Sequence, residues 1–390
     1  MNIPPKSCCG CSACAAICPV QAIKMTKDPQ GFYLPEINSE KCIKCNLCLK
    51  TCPECNNEVI TKKPLKAIAL IINSESDRIK STSGGAFTAL SNYLFEMHGA
   101  VFGTVYDETF KAIIICAQDK EQRDRMRGSK YVESSSENSY AECSELLRKN
   151  VPVLFTGTPC QIAGLVRFLD NDHVCTDQLY TCQIVCHGTP SPRVFRDHLN
   201  NIQLKRKKKI EKYYHRPKIW GWHEHNEMVC YHGGKKESQS KISQDHKELF
   251  YLGYSLRESC FQCKYAGNPG YSDFTIGDFW GVEFIAPEMD DNKGTSILLI
   301  NSEKGNRLFT AINKDNLKIE EINVDDALKY NHVHPSKKPT DYDNFWNDYN
   351  NTDFSKVVKK YAKDKMPDNI IYYAKKWVRR ILVKMHLIGY

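Results

Sequence analysis

Apolar positions along the chain gather into short runs divided by polar turns, and these runs predict alternating strands and helices. Lys66–Ile72 (KAIALII) reads as a buried strand. Residues 83–97 (SGGAFTALSNYLFEM) carry helical spacing, with Ser83 placed as the N-cap and Gly99 just past the end. Ala100–Val105 and Ala112–Cys116 predict a hairpin. Val151–Phe155 predicts another buried strand, which runs through Thr156-Gly157-Thr158-Pro159-Cys160 into a helix over Gln161–Leu169. Tyr180–Val185 predicts a further strand that ends at Cys186-His187-Gly188 and leads into a helix near Pro192. This alternation implies an α/β domain with a largely parallel sheet. Ligands of such sheets bind beyond the carboxyl ends of the strands, where Cys160 and Cys186 both fall.

Other stretches are less regular. Ser134–Ser139 reads as a polar loop, and residues 335–354, rich in Asn, Asp, Lys and Tyr, as a linker wrapping the domain. His215, His223, His225 and His232 flank Trp220 and Trp222 at irregular spacing, which points to a strand pair with partly buried aromatics rather than to a metal site. In the tail, Ile370, Ala374, Trp377, Val378, Ile381, Leu382, Met385 and Ile388 recur at helical spacing, with Lys375, Lys376, Arg379, Arg380 and Lys384 on the other face. Such a C-terminal helix either packs on its own domain or meets an anionic membrane surface or a partner protein.

Composition narrows the class. A chain of 390 residues is long enough for two or three domains, and 41% hydrophobic with 26% charged residues fits a globular protein. The longest apolar runs are far short of the roughly 20 residues of a membrane-spanning helix. The start, MNIPPKSCCGC, lacks the apolar stretch of a secretory leader, so a cytoplasmic location is expected. The formal net charge is +8, and the segment from Lys356 to Tyr390 alone carries ten basic residues against Asp364 and Asp368. Basicity therefore belongs to the tail, which argues against a nucleic-acid binder with a basic folded face. The basic run 205–218 (KRKKKIEKYYHRPK) is most simply a solvated segment.

Nineteen cysteines are many for a reducing compartment, where disulfides do not persist. Cys8, Cys11, Cys14 and Cys18 stand as CxxCxxCxxxC followed by Pro19, and Cys42, Cys45, Cys48 and Cys52 repeat the spacing, followed by Pro53. Three thiolates in a tight turn suit three corners of one iron–sulfur cube, while the fourth lies too far along to close it. Zinc more usually takes two CxxC pairs separated by a longer loop. Residues 1–60 resemble bacterial two-cluster ferredoxins. That resemblance implies one 4Fe-4S cluster on Cys8, Cys11, Cys14 and Cys52 and another on Cys42, Cys45, Cys48 and Cys18. Cys9 and Cys55 lie outside the pattern and are read as non-ligands.

Cys260-Phe261-Gln262-Cys263 adds a CxxC pair. With Cys160 and Cys186 it makes four soft ligands, the number one more cubane requires. On spacing alone two other readings stay open: Cys160 as a nucleophile at a helix N-terminus, and the CxxC as a redox pair.

STSGGAFTAL (81–90), RGSKYV (127–132), VLFTGTPCQIAGL (153–165), VCHGTPSP (185–192) and CFQCKY with DFTIGDFWG (260–281) resemble, in order, the family of coenzyme F-420 hydrogenase/dehydrogenase beta subunits. The resemblance implies FAD beside a third 4Fe-4S cluster, on Cys160, Cys186, Cys260 and Cys263. No GxGxxG follows a strand, so an ordinary Rossmann site is not indicated. Instead Ser81, Ser83, Gly84 and Gly85 open a helix whose amides and hydroxyls suit a pyrophosphate. Ser129 and Lys130 are the candidates to face the flavin, with Thr156, Gly157 and Thr158 between flavin and cluster.

The expected architecture is therefore an α+β ferredoxin-like domain (1–62), an α/β flavin and iron–sulfur domain (63–334, in parts 63–148 and 149–334), and a linker with a basic amphipathic helix (335–390). The expected function is an oxidoreductase passing electrons between the clusters and a hydride-accepting small molecule, the family including candidates in bacterial polysaccharide synthesis. The alternative is an electron-transfer component that feeds a separate catalytic partner. A structural or nucleic-acid role would leave the flavin-domain motifs idle.

Overall fold

The computed structural model describes residues 7–55, 62–136, 138–238 and 240–363. The basic C-terminal helix expected from the sequence lies outside these residues. The N-terminal part is a hairpin, β1 (Ile23–Lys27) against β2 (Tyr33–Ile37), flanked by short helices Ala13–Ala16 and Leu47–Thr51 that carry the cysteine turns. The rest is organised by one sheet. Its strands in chain order are β3 (Lys66–Ile72), β4 (Ala100–Tyr106), β5 (Ala112–Ala117), β6 (Val153–Gly157) and β7 (Leu179–Ile184). A separate three-stranded sheet follows, made by β8 (Ile210–Tyr214), β9 (Met228–Tyr231) and β10 (Lys236–Ser238). The main sheet then closes with β11 (Phe274–Asp278), β12 (Ser296–Ile300) and β13 (Leu317–Ile322).

The order across the main sheet is β13-β3-β12-β11-β7-β6-β4-β5. Only the centre, β11–β7–β6–β4, is parallel; β12, β3 and β13 on one side and β5 on the other are antiparallel. This mixed sheet corrects the expectation of a largely parallel one. The buried run KAIALII reports that both faces of β3 are covered, which a strand of either direction satisfies. Because β12 is antiparallel to both β11 and β3, β3 runs with the central strands. The loops after β3, β6, β7 and β11 consequently open at one carboxyl edge, the edge where ligands of such sheets sit.

Three further expectations are corrected. Ser83 does not cap the helix: Gly85, at φ 103°, is the N-cap of Ala86–Glu96, and the Ser83 hydroxyl donates to Thr295 O at 2.7 Å. Ser134, Ser135 and Ser136 are buried, and Ser136 Oγ donates to Cys11 O at 2.8 Å, so this loop is packed against the N-terminal part. The segment read as a linker holds a helix, Tyr342–Asn351, whose Tyr342, Phe345, Trp346 and Tyr349 pack with Phe32, Val194 and Tyr254. Their spacing is helical, but the polar majority between them hides it. Among the described residues no helix is long and apolar enough to cross a membrane.

The N-terminal part is fastened to the α/β part by a buried ion pair. Arg257 binds the Glu133 carboxylate and donates to Cys8 O and Tyr33 O, both at 3.1 Å, while Glu133 Oε2 accepts from Tyr33 N at 3.0 Å. Both side chains are about 5% exposed, and the guanidinium lies 4.7 Å from the Phe32 ring centre. Gly10 is required beside them: its φ is +71°, and a Cβ there would stand 2.3 Å from Glu133 Oε1. Arg257→Leu leaves the Glu133 charge buried without its partner, and such a break costs about 3–5 kcal/mol. Urea denaturation of the anaerobic full chain should show that loss, and a change below about 1 kcal/mol would contradict the role given to the pair.

Candidate functional site

The carboxyl-edge loops enclose a cavity of about 490 Å³, inside the range of 300–1,000 Å³ common for small-molecule and cofactor sites. One wall is the loop after β3. Its backbone is held from below: Lys218 Nζ donates to Arg78 O at 2.8 Å and Ser83 O at 2.6 Å, and Arg78 pairs with Asp291 at 2.5 Å. Gly84 must be glycine, since a Cβ would lie 2.0 Å from Leu70 O. Ser81 Oγ donates to Asp77 O at 2.8 Å, so the hydroxyls of Ser81 and Ser83 fold the loop, whose Thr82, Gly85 and Ala86 line the cavity. Thr82 Oγ1 accepts from Ser129 N at 2.8 Å, which ties this loop to the one carrying Ser129 and Lys130.

Lys130 lines the cavity, but its ammonium donates to the carbonyls of Arg125, Met126 and Arg127 at 3.3, 2.7 and 3.0 Å. Burial without a carboxylate partner pulls its pKa down to about 7. Thr156, Gly157 and Thr158, from the end of β6, form the floor. The opposite wall is aromatic and cationic. Arg216 binds Asp278 at the end of β11 and lies 4.9 Å over Trp280, which stacks on Trp222 at 5.0 Å, and Tyr131 stacks on Phe250 at 4.9 Å. Arg216, Asp278, Trp280 and Tyr131 were given no role from sequence; Asp278 and Trp280 stood inside a quoted motif without any local signal of what they face.

A smaller cavity, about 60 Å³, adjoins the first and is lined by Cys160, Cys186, Cys260 and Cys263, with His187 and His332 touching both. Cys160 opens the helix Pro159–Asn171 after β6, Cys186 follows β7, and the CxxC pair sits on the turn Glu258–Gln262 and just past it. Thr158 Oγ1 lies 3.2 Å from Cys160 Sγ, and Thr189 N donates to Cys260 Sγ at 3.3 Å. Burial and mutual repulsion push these thiols up, Cys260 to about 12 and Cys263 to about 11. Four soft donors that resist ionisation on their own, gathered around one space with an amide donor to sulfur, fit an iron–sulfur cube, whose positive irons reverse that bias.

The N-terminal cysteines gather in two groups that cross the repeats. Cys8, Cys11 and Cys14 stand in electrostatic contact with Cys52, and Cys18 with Cys42, Cys45 and Cys48. The first group is tied to the segment that carries Cys260 and Cys263. Pro53 O accepts from Lys264 Nζ at 2.5 Å, and Ser259 Oγ donates to Cys8 O at 3.1 Å. Cys9, read from sequence as outside the chemistry, stands beside Cys11 and Cys160 and also lines the large cavity. Its adjacency to Cys8 was the one available signal, and the spacing rule discards it.

Comparisons with known proteins agree with the motifs. Residues 7–57 match the 4Fe-4S dicluster domain, and residues 152–325 match the family described as the C terminus of the beta chain of coenzyme F-420 hydrogenase/dehydrogenase. The resemblance read from the sequence thus holds for both parts. Similar curated proteins include the F chain of the F(420)H(2) dehydrogenase of Methanosarcina mazei, 27% identical over 179 residues, covering 43% of this chain and 50% of that protein. An uncharacterized protein of Methanocaldococcus jannaschii is 25% identical over 193 residues, covering 43% of this chain and 54% of that one. The chain spans about half the length of the curated relatives it matches. Among solved structures, a chain of the xenon-derivatised F-420-reducing nickel–iron hydrogenase complex from Methanosarcina barkeri aligns with TM-score 0.47 and 16% identity, over 77% of this chain and 93% of that one.

The depressed Lys130 has a pH signature. An unfolded lysine titrates near 10.4, so between about pH 7 and 10 the unfolded chain holds a proton that the folded chain does not, and stability from this group rises with pH. The difference in melting temperature between the parent chain and Lys130→Met should therefore grow in the parent's favour from pH 6.5 to 9.5. A gap that is constant or shrinks over that interval would contradict the assignment.

Proposed function

We propose that the chain is an iron–sulfur flavoprotein oxidoreductase. Electrons would move between the N-terminal 4Fe-4S pair, a third 4Fe-4S cluster on Cys160, Cys186, Cys260 and Cys263, and FAD in the 490 Å³ cavity, with a small hydride carrier of the coenzyme F-420 type as the exchange partner. The observation that carries this reading is the convergence of those four cysteines on one small cavity that adjoins the large one, with Cys9 beside both Cys11 and Cys160.

The amides of the 82–86 loop at the start of Ala86–Glu96 would hold the pyrophosphate of FAD, assisted by the helix dipole. Bound there, the flavin supplies the exchange between single electrons and a hydride. Arg216 and Lys130 place positive charge and a proton at the cavity wall, and Trp280, Phe250 and Tyr131 exclude water from it. A second reading, an electron-delivery component serving a separate catalytic partner, is favoured by one observation. Cys45 is exposed at the group farthest from the cavity, where an external protein would exchange electrons.

Anaerobically reconstituted full chain should hold about twelve irons and one flavin, from three cubes and one FAD. Cys160→Ser should drop the iron to about eight while the N-terminal clusters keep their electron paramagnetic resonance signals. About eight irons in the parent chain would remove the third cluster. Absence of flavin after reconstitution with FAD would remove the flavoprotein assignment.

A further inference from the structure

Away from both cavities' cysteines, the three-stranded sheet and the helix Asp245–Tyr251 bury a cluster that no part of the electron path uses. Glu227, just before β9, is 1% exposed at its side chain, and His215, just after β8, and His246, in the first turn of the helix, are 0% exposed. Glu227 Oε1 lies 2.9 Å from His215 Nδ1 and 3.1 Å from His246 Nδ1, and the three candidate ligand atoms all fall within 4.8 Å of one another.

The Glu227 carboxylate is enclosed, with imidazoles as its ion-pair partners. No lysine or arginine side chain forms an ion pair with Glu227 among the described residues. A buried carboxylate needs a partner charge, which a protonated imidazole or a bound metal supplies.

From this geometry we infer a divalent transition-metal site on His215, Glu227 and His246, with zinc as the expected occupant. Two imidazoles and one carboxylate are a common zinc donor set. Around a tetrahedral zinc, ligand atoms stand roughly 3.4 Å apart, which the observed 2.9 and 3.1 Å reach with small side-chain adjustments. The supporting shell is already in place. Tyr106 OH sits 2.6 Å from His215 Nε2 and fixes the ring with Nδ1 turned to the cluster. Lys247 N donates to Glu227 Oε2 at 3.2 Å, leaving Oε1 for the metal.

The site has a structural purpose. His215 precedes Arg216, and His246 shares a short helix with Phe250 and Tyr251, all of which line the large cavity. One ion would therefore lock two separate segments of the cavity wall to β9. The proposal is independent of the flavin and cluster assignments, since its readout is metal rather than turnover.

The test is metal analysis and zinc-edge X-ray absorption on the full chain grown with zinc and passed through a chelator column. About one zinc per chain is expected, with only nitrogen and oxygen neighbours at roughly 2.0–2.1 Å. Glu227→Gln, which keeps the shape and removes the charge, should retain less than about a tenth of that zinc. Should that variant not fold, the absorption spectrum of the parent chain decides. No zinc in the parent, zinc with sulfur neighbours, or zinc kept at full level in a folded Glu227→Gln chain would each overturn the site and leave a hydrogen-bonded triad in its place.

Discussion

The arrangement of cysteines depends on one buried ion pair, Arg257 with Glu133. Electron transfer falls steeply with distance, so clusters in two structural parts are useful together only if the parts are held in one geometry. Arg257 is placed to do this because it is a fork of donors. One arm meets Glu133 and Tyr33 O, another meets Cys8 O, and its own amide donates to Thr189 O in the loop after Cys186. A single residue thus touches the first cysteine turn, the hairpin β1–β2 and the loop bearing a cysteine of the second cavity. Lysine, a point charge without the planar fork, would not reach all of these partners.

Much of this was legible in the sequence where the signal was local. A CxxCxxC turn states its own chelation geometry, and the apolar runs state which segments are covered. Strand direction was not legible. Past their first residues, Lys66 and Ser296, β3 and β12 are apolar because helices and loops cover both faces, and that burial carries no information about which way a neighbour runs. The same limit applies to Ser83, whose hydroxyl is claimed by Thr295 O, and to Ser136, claimed by Cys11 O. In each case a partner more than a hundred residues away wins over the local capping or loop preference. The helix Tyr342–Asn351 was hidden for a different reason: its buried stripe is aromatic and spaced helically, but Asn and Asp fill the positions between.

Cys9 shows how a spacing rule can discard a residue that topology employs. The ferredoxin pattern needs Cys8 and Cys11, and Cys9 between them falls outside it. In the fold the helix Pro159–Asn171 brings Cys160 against Cys9, and Gly164 of that helix packs so closely that an added Cβ would lie 2.9 Å from Cys11 Sγ. The glycine is the means by which the N-terminal cysteine turn and the strand-end cysteine approach. Cys9 then stands next to both, a placement that arises from close helix packing rather than from any motif.

The two kinds of metal-ligand arrangement in the chain differ in what reveals them. The cysteine turns hold their donors two or three residues apart, so the backbone itself sets the geometry and the sequence displays it. His215, Glu227 and His246 are separated by 12 and 19 residues and meet only because β8 and β9 pair and the following helix folds back across them. No period in the sequence records such a meeting. What records it is the meeting of three donors from different segments, whose ligand atoms lie within 4.8 Å of one another in a site closed to solvent. A carboxylate enclosed there needs a partner charge, and a metal on His215, Glu227 and His246 would supply it while completing the wall of the cavity.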